Sequence, residues 1–294
     1  MNLSVKKAAG MKTASFRESK RKRTAIARLF ATLALFAGAI VVLIPLVWML
    51  STSLKSDAEV MVNPSFIPIH WQFDNFYKAW HSGPFGTYLK NSVFITLSCL
   101  IGTLLSNSLV AYGFAKIRFK GRDVIFLCVL GTMMIPGMVT MIPTYVMFSS
   151  FGWVGTYLPL IVPAFGASAY YIFLLRQFFL TIPMAYNEAA KIEGASELNI
   201  FARIVLPMSK PIITTIAVFE FNAKWNDYFA PMLYLDKESM YTLQLGLRSF
   251  RGTAGVEWQK FMAASLLVLL PTVIVYACLQ KYIIQGVAAG GLKG

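Results

Sequence analysis

Residues Val124 to Leu175 read VIFLCVLGTMMIPGMVTMIPTYVMFSSFGWVGTYLPLIVPAFGASAYYIFLL, 52 residues without one charged side chain. A helix crosses a bilayer with about twenty apolar residues, so the stretch has room for two spans. Ser149, Ser150 and Gly152 mark a turn at its middle and Trp153 suits the water–lipid boundary, which sets the spans at 124–148 and 155–175. Outward from this pair, uncharged runs place spans at 29–50, 91–115 and 261–284, and a charge-bearing one, fifth in chain order, at 211–233. The first run is too long for a signal peptide and no small-residue cleavage site follows it, so it reads as a retained helix. The expected fold is all-α: a polytopic membrane protein of six transmembrane helices.

Composition agrees. Of 294 residues, 57% are hydrophobic and 14% charged, with a mean hydropathy of +0.61. Ordinary soluble domains carry about a quarter charged residues, so a water-soluble enzyme, a nucleic-acid-binding domain and a disordered tail are excluded despite a net charge of +14. Cys99, Cys128 and Cys278 all lie in apolar runs and read as small hydrophobes. His70 and His81 have no cysteine partners, so no metal site is expected. Lys and Arg number nineteen in the N-terminus, the 116–123 and 176–210 connections and the tail, against seven in the opposite connections. Positive residues stay inside, which puts both termini in the cytoplasm.

The segments that follow are a basic cytoplasmic N-terminus (1–28), the first span, an external loop (51–85), a five-helix core (86–285) and a cytoplasmic tail (286–294). Lys20-Arg21-Lys22-Arg23 reads as a topology determinant facing anionic lipid. Trp71, Phe73, Phe76, Tyr77, Trp80, Phe85 and Tyr88, in and just after the external loop, read as interfacial anchors. Pro45, Pro136, Pro143, Pro159, Pro163 and Pro271 each remove a backbone bond and bend their helix.

The connection 181–207, TIPMAYNEAAKIEGASELNIFARIVLP, carries the most information. Thr181 is placed to cap a helix whose first turn holds Pro183, and Gly194 to end it in the left-handed region. Ser196 caps a second helix with Glu197 in its first turn; Leu198, Phe201, Ala202 and Val205 make its apolar stripe, and Pro207 closes it. Ala189 and Ala190 let another protein approach the backbone, and Glu188 offers a charge-assisted bond.

Glu188-Ala189-Ala190, then Gly194, then Ile204-x-Leu206-Pro207 resembles the full signature of ABC importer permeases, with no departure at any of its seven positions. The resemblance implies a type I importer permease fold in which this loop is a coupling helix docking into a separate ATP-binding subunit. Glu188, Ala189, Ala190 and Gly194 would then dock, and Ile204, Leu206 and Pro207 would form the loop's structural end. Trp225-Asn226-Asp227, Tyr241-Thr242-Leu243 and the tail from Gln285 to Gly294 are similar to the carbohydrate branch of that family, near the smaller maltose-transporter permease. That branch implies a hetero-dimer with a second permease chain, a dimer of ATPase subunits that binds ATP and Mg, and an external solute-binding protein touching Ser249, Phe250, Arg251 and Gly252. It also implies an oligosaccharide cargo entering across a bacterial-type inner membrane by alternating access; glycerol phosphate esters and polyol derivatives are the alternative cargoes, and a polytopic membrane enzyme the alternative class. No G-x-x-x-x-G-K-[ST] occurs, so this chain is expected to hold no ATP and to be no enzyme.

The fifth span carries Glu220, Asn222, Lys224, Asn226 and Asp227. Charges at a helix centre cost about 2.5–3.5 kcal/mol each and need a reason. Glu220 and Lys224 are four apart, acid first, with Asp227 three further on, so the three are expected to stack on one face as a charge cluster. Amides beside aromatic rings suit a sugar, which makes Asn222, Trp225 and Asn226 candidates for the border of a solute path; the plainer reading is polar contact between helices.

Overall fold

The structure, a computed structural model of the chain, describes residues 2–252 and 255–291, with side chains described over 27–251 and 255–282. The basic run at Lys20–Arg23 and the tail from Gln285 lie outside the described side chains. The chain divides into two units, Met1–Gln72 and Phe73–Gly294.

The first unit is helix α1 (Asn2–Ser53), the short α2 (Asp57–Val62) and a loop that folds back. Every residue of α1 from 27 to 48 is exposed, and the apolar surface runs all the way round. Such a helix is stable only in lipid or against a partner chain. Beyond it the loop is held by two buried charges. Lys55 Nζ donates to the carbonyls of Asn63 at 2.8 Å and Ser65 at 2.7 Å. Glu59 accepts from the Ile69 amide at 2.6 Å and the Asn63 side chain at 2.7 Å. The Ile69 amide, ahead of these other contacts, holds the Glu59 carboxyl below its usual range.

The second unit holds the remaining helices: α3 (Asp74–His81), α4 (Phe85–Lys116), α5 (Arg122–Gly131), α6 (Gly137–Ser150), α7 (Leu158–Ile161), α8 (Ala169–Thr181), α9 (Met184–Ile192), α10 (Glu197–Ile200), α11 (Leu206–Met208), α12 (Lys210–Trp225), α13 (Phe229–Tyr234), α14 (Leu243–Gly246) and α15 (Trp258–Gly291). Strands β1 (Arg251–Gly252) and β2 (Gly255–Val256) form a small antiparallel ribbon before α15. Helix α4 is the hub: it packs on α8 and α12, and α12 packs on α15. Phe85 and Tyr88 at its start are buried, so they are core residues and not interfacial anchors. Trp71, Phe73 and Tyr77 are exposed, as anchors require.

Among the described residues four helices are long and apolar enough to cross a membrane, at 27–53, 85–116, 158–181 and 258–282. Two bent pairs bring the number to six when each counts as one span, the number read from the sequence. The bends correct two straight spans. Residues 122–134 and 137–150 meet at 95°, because Ile135 before Pro136 is driven to extended geometry and Pro136 donates no backbone bond. The fifth span meets residues 197–208 at 80° and stops at Trp225, well short of 233. Pro45, Pro143 and Pro271 by contrast lie inside continuous helices.

The span 158–181 also breaks internally. Ala167 has φ 59° and ψ 152°, a conformation that glycine holds freely and alanine only at a cost of about 1–3 kcal/mol. Asn107, buried on α4, holds the break: its Oδ1 accepts from the Ser168 amide at 2.7 Å and its Nδ2 donates to the Thr103 carbonyl at 2.7 Å.

Candidate docking loop and solute groove

The 181–207 loop folds as two short helices fixed to one end of α4. Helix α9 follows Pro183, and Gly194 ends it at φ +83°, as its glycine predicts. Ser196 Oγ caps the next helix by accepting from the Asn199 amide at 3.4 Å. Thr181 does not cap α9: it is the last residue of α8, and its hydroxyl turns back to the Phe178 carbonyl at 2.7 Å. The second helix passes through a π turn at Phe201–Val205 and ends at Met208, one residue beyond Pro207.

Helix α9 divides its faces. Asn187 and Ala190 are buried, while Glu188 and Ala189 are exposed. Ala190 therefore packs inward with Ile182, Ile200 and Val205 and is not open to a partner. Leu198 and Ala202 also leave the expected stripe, because the buried residues are Ile200, Phe201 and Val205. Ile204 and Leu206 pack against that cluster; Gly194 and Pro207 are exposed. The open face carries three large apolar side chains that sequence reasoning missed: Tyr186 (50% exposed), Ile192 (88%) and Leu198 (69%). The three-residue spacing of Asn187 and Ala190 was the available signal, since burying that pair leaves Tyr186, Glu188, Ala189 and Ile192 outside.

A polar network ties the loop to α4. Tyr112 donates to Glu197 Oε2 at 2.7 Å and accepts from Asn187 Nδ2 at 3.3 Å. Lys191 reaches Glu197 Oε1 at 2.5 Å, so α9 and α10 share one carboxylate. Lys191, then Tyr112, hold the Glu197 carboxyl below its usual range. Lys116 at the end of α4 donates to the Ile182 carbonyl at 2.5 Å, and Arg176 lies over the Phe126 ring with its Nε 3.3 Å from the Phe114 carbonyl.

The charged span behaves differently from its spacing. Glu220 is buried and accepts from Thr103 Oγ1 at 3.1 Å. Lys224 and Asp227 line a separate cavity of about 70 Å³ with Ser92 and Thr242, a size and polarity that admit water. Among the described residues no ion pair joins the three: Glu220 is turned to Thr103 while Lys224 lines the cavity, and α12 ends before Asp227, so the helical spacing does not reach it. Asn222 and Asn226 are exposed and bonded, Asn226 Nδ2 donating to Asn222 Oδ1 at 2.9 Å. Gln244 Nε2, from α14, donates to Asn226 Oδ1 at 3.0 Å and extends the row. Trp225 leaves this border. It is 3% exposed and stacked on Phe221, and its indole N–H donates to the Val268 carbonyl of α15 at 2.9 Å.

The amide row adjoins an open groove of about 550 Å³ lined by Tyr228, Gln244, Arg248, Arg251 and Phe261, among others. Of the loop residues 249–252, Phe250 is buried and stacked on Phe85 at 5.6 Å, so it offers nothing to an outside protein. Ser249 and Arg251 are exposed, and Gly252 lies in the ribbon. Among the described residues no group of three or more His, Cys, Asp and Glu side chains gathers in metal-binding geometry.

Comparison with known proteins gives one family and one fold. Residues 107–289 match the family model described as "Binding-protein-dependent transport system inner membrane component". The chain is 32% identical over 279 residues to the arabinooligosaccharides transport system permease protein AraQ of Halalkalibacterium halodurans, covering 94% of this chain and 100% of that one. It is 33% identical over 267 residues to the sn-glycerol-3-phosphate transport system permease protein UgpE of Yersinia pestis bv. Antiqua, covering 88% and 95%. Among solved structures it superposes with a TM-score of 0.79 and 26% identity on a chain of a bacterial ABC transporter involved in the import of the acidic polysaccharide alginate, covering 88% and 96%.

Proposed function

Because this chain belongs to the family of inner-membrane components of binding-protein-dependent transport systems, we propose that it is one permease of an importer that brings an oligosaccharide into the cytoplasm by alternating access. It is a transporter subunit and not an enzyme. The observation that carries the reading is the set of exposed side chains on the 181–207 loop, Tyr186, Glu188, Ile192 and Leu198, with the loop held to α4 through Tyr112 and Glu197. A fixed loop with exposed apolar side chains and charges is what a docking partner needs: side chains that bury area, and charges that fix register. That partner is a dimer of ATPase subunits, which binds ATP and Mg, while this chain converts its movement into opening and closing. A second permease chain completes a hetero-dimer and covers the exposed surface of α1. Ser249 and Gly252 meet the solute-binding protein outside, while Arg251 between them lines the groove.

Arabinooligosaccharide and alginate importers among the relatives support a saccharide cargo, and the amide row suits its hydroxyls. The UgpE likeness favours glycerol phosphate esters as the second reading. The test is co-purification of the tagged permease with its ATPase, followed by ATP-driven uptake of labelled oligosaccharide in proteoliposomes supplied with the binding protein. Glu188→Lys with Ile192→Asp, both exposed, should leave the permease folded and lower ATPase recovery by about tenfold or more. A wild-type complex without an ATPase would end the importer reading.

A further inference from the structure

From the groove beside the amide row we infer that the cargo is a polyhydroxylated anion: a saccharide or polyol that carries a carboxylate or phosphate. The inference rests on the importer reading and sharpens its substrate. Arg248 and Arg251 both line the groove and are exposed, and among the described residues neither has an ion pair within 4.0 Å. The nearby carboxylates are engaged elsewhere. Glu257 holds Lys260 at 2.9 Å, Glu238 accepts from Tyr88 at 2.9 Å, and Asp227 Oδ1 accepts from the Ala230 amide at 3.1 Å. Asp236 lies against Gly155.

Two guanidinium forks without a counter-ion therefore share one groove with the Gln244 amide and two aromatic rings, and the Asn226–Asn222 pair continues the amide row from Gln244. A guanidinium matches a carboxylate or phosphate with paired hydrogen bonds. Asn222, Asn226 and Gln244 hold one another by side-chain bonds of 2.9 and 3.0 Å, so their free polar atoms meet hydroxyls without first being ordered. Tyr228 and Phe261 supply faces for C–H groups, and about 550 Å³ falls within the range of small-ligand sites. A neutral sugar would use the amides and rings and leave both charges idle.

The assembled importer, purified without its solute-binding protein, is titrated at low salt with tetragalacturonate and its neutral methyl ester, and with glycerol 3-phosphate and glycerol, by saturation-transfer NMR. At least one anion should bind about tenfold more tightly than its neutral counterpart, and which one does so tells carboxylate from phosphate. Arg248→Gln with Arg251→Gln should abolish that preference, the double Lys variant should keep part of it, and Lys237→Gln should keep all of it. Equal binding of charged and neutral probes, binding of neither anion, or a preference unchanged in the double Gln variant would each overturn the inference. So would a double Gln variant that loses affinity for the solute-binding protein while keeping its anion preference, since the arginines would then dock a protein. Recovery of the ATPase and ATP-driven uptake are measured on the same preparation; their absence would defeat the importer reading and leave the titration to judge the groove alone.

Discussion

Trp225 shows how a single residue divides two jobs that its neighbours in sequence seem to share. Asn222 and Asn226 stand four apart, exposed and joined to Gln244 at the groove, and Trp225 between them turns away into the contact with α15. Its indole N–H has one acceptor, the Val268 carbonyl. Trp225→Phe keeps most of the ring area and removes the donor, so it should destabilise the protein by about 1 kcal/mol. A lowered melting temperature in detergent with unchanged cargo affinity is the expected result; lost affinity at full stability would return Trp225 to the solute path. The sequence makes the amides legible because buried or lipid-facing amides are rare. It does not separate the tryptophan from them, because an aromatic beside a sugar and an aromatic between helices have the same local pattern. Phe250 was hidden for the same reason: beside Ser249 and Arg251 it reads as loop, yet its ring completes the cluster around Phe85.

At the scale of elements, α4 and α14 meet where Gly246 lies against the Tyr88 ring. A β-carbon there would stand 2.3 Å from Tyr88 Cδ2, and Tyr88 is fixed by its 2.9 Å bond to Glu238. Gly246→Ala should therefore cost about 1–3 kcal/mol through overpacking, read as a fall in melting temperature. Gly113→Ala, in α4 where nothing lies within 4 Å, should be neutral or mildly stabilising. Equal effects at the two sites would refute the close packing at Gly246. The caps of the docking loop were legible because Ser196 and Gly194 act through local backbone geometry alone. The bends were not, since Pro136 at a 95° break and Pro143 inside a continuous helix look alike in sequence. Tertiary packing decides which proline ends a helix. Likewise Ala190 and Leu198 exchange their expected roles, because the rotation of a two-turn helix is set by what Asn187 and Val205 contact.

For the whole molecule, the excess of Lys and Arg in alternate connections predicts an orientation that is open to a direct check. With Cys99, Cys128 and Cys278 replaced by alanine, a membrane-impermeant maleimide should label Ser150→Cys and Lys237→Cys in intact spheroplasts. Arg118→Cys and Glu193→Cys should react only after permeabilisation; the opposite pattern would invert the topology. Once oriented, the bundle places the docking loop at one end of α4, tied through Tyr112, and the arginine groove beside α14, which packs near the other end. Between them lies the span broken at Ala167. Residues Leu158–Ile161 and Ala169–Thr181 share no continuous ladder of backbone bonds, and Cys99 holds the first piece by donating to the Leu160 carbonyl at 3.2 Å. Both pieces are thus seated on α4 separately, the first through Cys99 and the second through Asn107. The span is two struts and not one rod: without a shared ladder of backbone bonds, each piece takes its alignment from α4 and not from the other.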